Sequence, residues 1–308
     1  MPAESALRVS VNVAGALAQG RPVVALESSV LAQGLPIPAN RDAAARMTSA
    51  VLRAGATPAI TAVVAGRCAL GLEDLELERF LRRGGIRKVS ARDLPVAMAQ
   101  KLDGATTVAA SLRIAGAKNI PVFATGGIGG VHRDAPFDES ADLAELANTA
   151  IVVVCAGAKS ILDLPATLER LESHGVTVLG YRTDELPGFF TRTTGLRLTA
   201  RVESPEEVAA IFRANRALGR RQATLVVQPP PEAVALPPQV VDDAVVTALD
   251  HARRSDIRGA ALTPFLLAAV ERATEGRSLR ANLGLLEENA ALAGAIAVAL
   301  GAANDTPG

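Results

Sequence analysis

Lys159 is the residue whose type and position say most about chemistry in this sequence. It follows the apolar run Ile151-Val152-Val153-Val154-Cys155 after three small residues, Ala156-Gly157-Ala158. A lysine held at the end of a buried strand is partly desolvated, which lowers the pKa of its amine. A neutral amine is a nucleophile suited to Schiff-base chemistry. The same position also suits a helix-start lysine turned to water. Glu27 poses a similar choice after the run Val23-Val24-Ala25-Leu26. A buried carboxyl at a strand end keeps its proton and can donate it; it can equally cap a helix or pair with an arginine. Lys88 follows the short run Ile86-Arg87. Thr125 opens Gly126-Gly127-Ile128-Gly129-Gly130, with four glycines in five positions. Such backbone N–H groups can form an anion nest, although neither the Walker pattern nor G-x-G-x-x-G is present. His132, just beyond this loop, reads as a surface or supporting histidine. Asp138, Glu139 and Asp142 surround Ser140. They suit the capping of a helix or an oxygen-ligand site for Mn²⁺ or Mg²⁺. No zinc-like Cys/His spacing and no G-x-S-x-G elbow occurs.

These residues need elements to hold them. Short β-branched runs predict strands over 23–26, 59–64, 121–124, 151–155, 177–179, 198–202 and 224–227. Several are continuously apolar, as in strands covered on both faces. Helical patterns lie between them at 40–53, 72–82, 106–117, 140–147, 165–174 and 205–218. Ser204-Pro205-Glu206-Glu207 predicts a capped helix start with a capping box, and Gly175 a helix stop. Strand–helix alternation predicts an α/β fold, a three-layer α/β/α arrangement with a mainly parallel or mixed central sheet. In such sheets ligands bind beyond the carboxyl ends of the strands. That rule gathers Glu27, Lys88, Thr125 and Lys159 on one rim. After the proline-rich stretch 228–238 the last third is expected to be helical, at 239–254, 264–274 and 278–300, with Thr263-Pro264 as a further cap pair. Residues 1–20 are expected to be a helical segment, 303–308 a frayed tail, and the whole a single domain.

The chain has 308 residues, 32 Lys plus Arg against 32 Asp plus Glu, and only 3% aromatic residues with no Trp. Zero formal charge gives no bulk attraction to nucleic acid or anionic lipid, and so few aromatic rings leave little to stack bases on. No apolar stretch reads as a membrane span, and no basic, uninterrupted leader opens the chain. Cys68 and Cys155 sit in apolar runs and read as buried free thiols. A cytoplasmic setting is the expectation, with a small molecule as partner, no nucleic acid and no membrane.

Taken in order, the segments ALESS (25–29), KVSARDLP (88–95), LDGATTVAA (102–110), FATGGIGGVHR (123–133), FDESADL (137–143), CAGAKSILD (155–163), YRTDELPGFFTRTTG (181–195) and RSLRANLGLL (277–286) resemble the pseudouridine-5′-phosphate glycosidase family, which includes the indigoidine synthase A-like proteins. The resemblance implies reversible cleavage of the C–C glycosidic bond of pseudouridine 5′-phosphate to uracil and ribose 5-phosphate. It also implies one divalent ion per subunit, usually Mn²⁺, and a homotrimer. By matching position, Lys159 corresponds to the nucleophile and Glu27 to the proton donor. Lys88 and Val108 fall at substrate-binding positions, Asp138 at the metal-ligand position, and Ser140, Ala141 and Asp142 in a substrate-binding segment. Asn282 aligns with a polar active-site position, and Thr125 and His132 belong to the adjoining loop. The chemistry suits these residue types. A carbon leaving group offers no heteroatom to protonate, so the two-carboxylate route of O-glycosidases is disfavoured. Opening the ribose ring and adding a lysine at C1′ gives a covalent alternative. Three positions depart from the family pattern: Glu139 for an apolar residue, Gln33 for a histidine found in some relatives, and Glu288 for a frequent asparagine. A Schiff-base lyase or aldolase acting on another phosphosugar, and a non-catalytic sugar-phosphate sensor, are the competing readings.

Overall fold

The computed structural model describes residues 6–133, 137–257 and 262–302. The expected tail at 303–308 lies outside them. Thirteen strands occur among the described residues: β1 (Leu7–Val9), β2 (Val23–Leu26), β3 (Thr57–Val64), β4 (Arg67–Leu70), β5 (Arg87–Val89), β6 (Gly104–Thr106), β7 (Val122–Ala124), β8 (Val131–His132), β9 (Val152–Cys155), β10 (Leu162–Asp163), β11 (Thr177–Tyr181), β12 (Arg201–Val202) and β13 (Thr224–Val227). Eleven of them form one mixed sheet inside a three-layer α/β/α arrangement, and β8 and β10 pair separately. The apolar runs become its centre. β2, β7, β9 and β13 are buried along their whole length and pair in parallel in that order. Their carboxyl ends therefore share one rim, as the doubly covered pattern predicts.

The sheet divides along β3. Its first half, from Thr57 to Ile60, runs parallel to β2. Its second half overruns the end of β2 and pairs antiparallel with β4 and β6. β5 lies parallel to β6, with Lys88 opposite Ala105. This overrun brings Lys88 to the same edge as Glu27, although the two come from different halves of the sheet.

The short strands are where structure and sequence expectation part. β1, β4, β5, β6, β8 and β10 have two to four residues each, too few to display a period of two. The expected N-terminal helix begins only at Val11. Leu7–Val9 is instead an edge strand beside β4, and Ser10 caps the helix Val11–Ala18. Of the expected strand 198–202 only Arg201–Val202 joins the sheet, because the Leu198 N–H is turned to the Asp184 carbonyl. Ser204 caps the helix Pro205–Ala217 as expected, its hydroxyl accepting from the Glu207 N–H at 3.3 Å. The Glu207 carboxylate reaches back one residue further than in a capping box, accepting from the Glu203 N–H.

After β13 the described chain is helical: Pro238–Arg254, Leu262–Ala273 and Arg277–Ala302. Pro264 falls within the first turn of the second of these. The 26-residue helix Arg277–Ala302 is long and apolar enough to cross a bilayer by length and composition, which the sequence reading had not anticipated. It packs instead against the helix Ala39–Arg53 and across β2, β7 and β9, burying Asn282 and Asn289 among its apolar residues. Both cysteines are free and buried.

A cluster of buried hydroxyls fixes the point of division. Thr106 N–H donates to Ser28 Oγ (2.9 Å), Thr106 Oγ1 donates to the Thr61 carbonyl (2.8 Å), and Ser111 Oγ donates to Thr106 Oγ1 (3.1 Å). Thr61 Oγ1 reaches the Leu26 carbonyl at 3.0 Å. All four residues are fully buried. The cluster ties the end of β2 to β3, to β6 and to the helix Val108–Gly116. Thr106→Val keeps the shape and leaves buried partners unpaired. It is expected to lower unfolding stability by about 1–3 kcal/mol, measured by urea denaturation, whereas Thr247→Val on the exposed face of the helix Pro238–Arg254 leaves it unchanged.

Candidate active site

Glu27 is the first residue past β2 and only 4% exposed. Its Oε1 accepts from Thr125 Oγ1 at 3.1 Å, and Oε2 from Ser29 Oγ at 3.4 Å. Burial raises its pKa above the ordinary carboxylate value. The positive charges of Lys159 and Lys88 and the Thr125 hydrogen bond oppose that rise, and the Asp142 charge adds to it. The net result is a carboxyl that holds its proton more tightly than a free glutamate.

Lys159 is set by two turns that close on each other. After β9 the chain passes Gly157 at φ +85°, a conformation that favours glycine. The Ile128 N–H then donates to the Gly157 carbonyl and the Lys159 N–H to the Ile128 carbonyl, both at 3.1 Å. The glycine loop and the lysine turn are thereby locked together. Lys159 and Glu27 line one cavity of about 50 Å³, with Lys88, Gln33, Phe189 and Asn282 also on its wall. Lys88 has an exposed residue surface, but its ammonium end is crowded by protein. That crowding and the Lys159 charge lower its pKa, against the Glu27 and Asp142 charges. The Cys155 thiol is pushed up to about 12 by burial, so it is a packing residue and not a nucleophile.

Asp142 has a different place from the one its motif suggests. It is 5% exposed. Its Oδ1 accepts from the Ala109 N–H (2.9 Å) and its Oδ2 from the Gly129 N–H (2.8 Å). The anion that occupies the glycine loop and the first turn of the helix Val108–Gly116 is therefore this carboxylate. A Cβ at Gly129 would collide with Ser140 and Asp142, so this closeness needs glycine. Ser140 caps the helix Ala141–Asn148 by accepting from the Asp142 N–H, and Ala141 is its first residue. The Val108 side chain is buried, which leaves its backbone for any ligand contact. His132 lies in β8 opposite Leu162, and its N–H donates to the carbonyl of Asp138, which is exposed. Neither lines the cavity. Thr125 is buried and acts on Glu27 rather than forming the wall. The structure thus brings Glu27, Lys88, Lys159 and Asn282 to one cavity wall, with Thr125 and Asp142 behind it, and leaves His132, Asp138 and Ala141 off that wall.

Several residues at the site carried no sequence signal of their own. Asn289 donates from Nδ2 to the Thr125 carbonyl at 2.9 Å and steadies the turn beside Glu27. A second buried asparagine, seven residues after Asn282 on an apolar helix, places both on one face, and that spacing was visible. Glu288, where the family favours asparagine, is exposed. Phe189 closes one side from a backbone at φ +64°, its N–H donating to the Ala156 carbonyl. Gln33 and Leu267 come from a π-helical turn (Val30–Gly34) and from the helix Leu262–Ala273. Glu139, the departure nearest the acidic motif, forms an ion pair with Arg170 at 2.7 Å.

Among the described residues no three His, Cys, Asp or Glu side chains converge to hold a metal. Asp138 offers a single exposed carboxylate, a donor set that fits only an ion keeping most of its water.

The sequence matches the family described as indigoidine synthase A like protein over residues 12–299. The chain belongs to this family. A pseudouridine-5′-phosphate glycosidase of Gemmatimonas aurantiaca is 64% identical over 95% of this chain and 96% of its own length. One of Herpetosiphon aurantiacus is 49% identical over 96% and 98%. Among solved structures, the prealnumycin C-glycosynthase AlnA in complex with ribulose 5-phosphate superposes with a TM-score of 0.89 at 39% identity, covering 97% of this chain and 98% of that one. An indigoidine synthase A-like protein of Thermotoga maritima gives 0.88 at 34% identity, covering 96% of each. In this indigoidine synthase A-like chain the cavity is well below the roughly 300 Å³ of common ligand pockets.

Glu27→Gln is expected to lower turnover about 100- to 10,000-fold, the range for loss of a general acid. The fold favours protonated Glu27, so its stabilising contribution is intact below the ordinary pKa of 4.5 and is lost as pH rises through the raised folded value. The variant's thermal midpoint should therefore match that of the parent at about pH 4 and exceed it at about pH 8, read by calorimetry.

Proposed function

We propose that this protein cleaves the C–C glycosidic bond of pseudouridine 5′-phosphate, reversibly giving uracil and ribose 5-phosphate through a lysine-linked, ring-opened imine. One observation carries the reading: a buried carboxyl, its pKa raised by burial, and a lysine side chain line the same cavity at the carboxyl rim of the sheet. The names of the relatives at 64% and 49% identity support the substrate. The solved C-glycosynthase, with its sugar phosphate, supports chemistry at a carbon–carbon glycosidic bond.

Glu27 gives its proton to the ribose ring oxygen as the O4′–C1′ bond breaks. The Lys159 amine adds at C1′ and loses a proton. Protonation of the base at C5 then allows the C1′–C5 bond to break, its electrons restoring the C5=C6 double bond while C1′ and the lysine nitrogen become an iminium. Water adds at C1′, releases the open-chain sugar and returns Lys159. Burial supports the first step, because it raises the pKa of the Glu27 carboxyl above the ordinary value and so favours the acid form that donates. Thr125 supports it by orienting the Glu27 carboxyl. Lys88 supplies positive charge for the phosphate, and a compact ammonium is a good phosphate partner. Val108, Ser140, Ala141 and Asp142 are assigned to the sugar phosphate by the family resemblance, and Asp142 links the helix start at Ala141 to the helix Val108–Gly116. His132 is assigned to the loop's support.

A divalent ion, Mn²⁺ by the family's usage, belongs to the same proposal, held by Asp138 alone through a largely hydrated shell. When bound it would supply fixed positive charge for organisation and electrostatic stabilisation. A trimer, implied by the family resemblance, is also part of the proposal. The two buried free thiols suit a reducing cytoplasm.

Mixing the protein with ribose 5-phosphate and borohydride should reduce the imine and leave one sugar-phosphate adduct. Peptide mass spectrometry is expected to place it on Lys159 and to find none in Lys159→Ala. An adduct on Lys88 instead would sink the assignment of the nucleophile.

A further inference from the structure

Beside the reaction cavity lies a second one of about 190 Å³, with room for about six waters. The two share Gln33, Gly34, Leu267 and Asn282. Arg83 lines the outer cavity from the left-handed residue that ends the helix Asp74–Arg82. Its Nε and Nη2 are buried and have no hydrogen-bond partner. Burial lowers its pKa, and among the described residues no carboxylate pairs with it, the nearby Glu271 included. Gln33 is tethered by its Nε2, which donates to the Ile86 carbonyl at 3.3 Å. Its Oε1 is left buried and unpartnered, as is Oδ1 of Asn282, a side chain only 8% exposed. The wall therefore holds one cationic double donor and two acceptor oxygens with nothing to bind.

Buried polar groups are normally paired, and a site that leaves a set of them open rejects any ligand that cannot pair them. The open set complements one edge of a pyrimidinedione: the C2 carbonyl oxygen for Arg83, flanked by the two ring N–H groups for the two amide oxygens. Both ring N–H groups are present only when the base is linked to its sugar through carbon. In an N-linked nucleotide one of them is replaced by the glycosidic bond, and one amide oxygen stays unpaired.

We propose that Arg83 and Gln33 are specificity-determining residues that hold the base across the two cavities, Arg83 donating to its C2 carbonyl oxygen and Gln33 Oε1 accepting a ring N–H. They thereby select a C-linked over an N-linked pyrimidine. The proposal rests on the glycosidase reading above.

The test is steady-state kinetics of the synthetic direction, with uracil and ribose 5-phosphate varied separately. Arg83→Met and Gln33→Leu are each expected to raise KM for uracil about 10- to 100-fold. KM for ribose 5-phosphate and borohydride trapping at Lys159 are expected to be retained. Arg83→Lys, which restores charge without the fork, is expected to fall between Arg83→Met and the parent. Loss of a merely structural contact would move both KM values together and lower the thermal midpoint. Should Arg83→Met fail to fold, Gln33→Leu alone decides the matter. Turnover by the parent with an unchanged uracil KM in the folded variants, or with both KM values raised in parallel, overturns the proposal alone. A parent protein that neither traps ribose 5-phosphate nor turns over overturns the glycosidase reading and this proposal with it.

Discussion

A carboxyl group with almost no solvent contact, facing two lysines and a second carboxylate, sets the terms for the rest of this structure. Glu27 would be ordinary on the surface. At the end of a fully buried strand, charging it means giving up hydration that nothing in the cavity fully replaces. The surrounding charges pull in both directions: Lys159 and Lys88 favour the anion, and burial and Asp142 favour the acid. Burial is the largest of these effects. The folded protein therefore favours the acid form of this carboxyl more than a solvated glutamate would.

Keeping that arrangement requires several elements that meet only in three dimensions. The overrun of β3 brings Lys88 to the edge where β2 ends. The hydroxyl cluster of Ser28, Thr61, Thr106 and Ser111 locks this junction without adding charge. Asp142 meets the N–H groups of Gly129 and Ala109 and so joins the glycine loop to the helix Val108–Gly116. Asn289 secures the same loop from the opposite side. These hydrogen bonds fix the turns that bring Glu27 and Lys159 to one cavity wall.

Much of this was legible in the sequence, and the reasons differ by residue. Glu27 and Lys159 each follow a continuous apolar run, and such runs become parallel central strands whose ends share a rim. Lys88 was harder to place because β5 has three residues and no periodicity. Asp142 sat in an acidic motif that suited a cap or a metal site equally; its bridging role needed the approach of residues 109 and 129. Gln33, Arg83 and Leu267 belong to the ends or faces of helical segments far apart in the chain. No local pattern tells which face of a helix will meet a distant strand end. The edge strand at Leu7–Val9 was hidden for a related reason: its pairing partner, β4, is itself too short to read.

The central claim is that burial holds the pKa of Glu27 above the ordinary glutamate value in the folded protein. Difference infrared spectroscopy between the parent and Glu27→Gln, taken across a pH series in the absence of substrate, tests it directly. The account predicts a carboxylic-acid carbonyl band present in the parent, absent from the variant, and persisting well above the ordinary glutamate pKa of 4.5. A band that disappears at or below that pH, with the protein still folded, would contradict it.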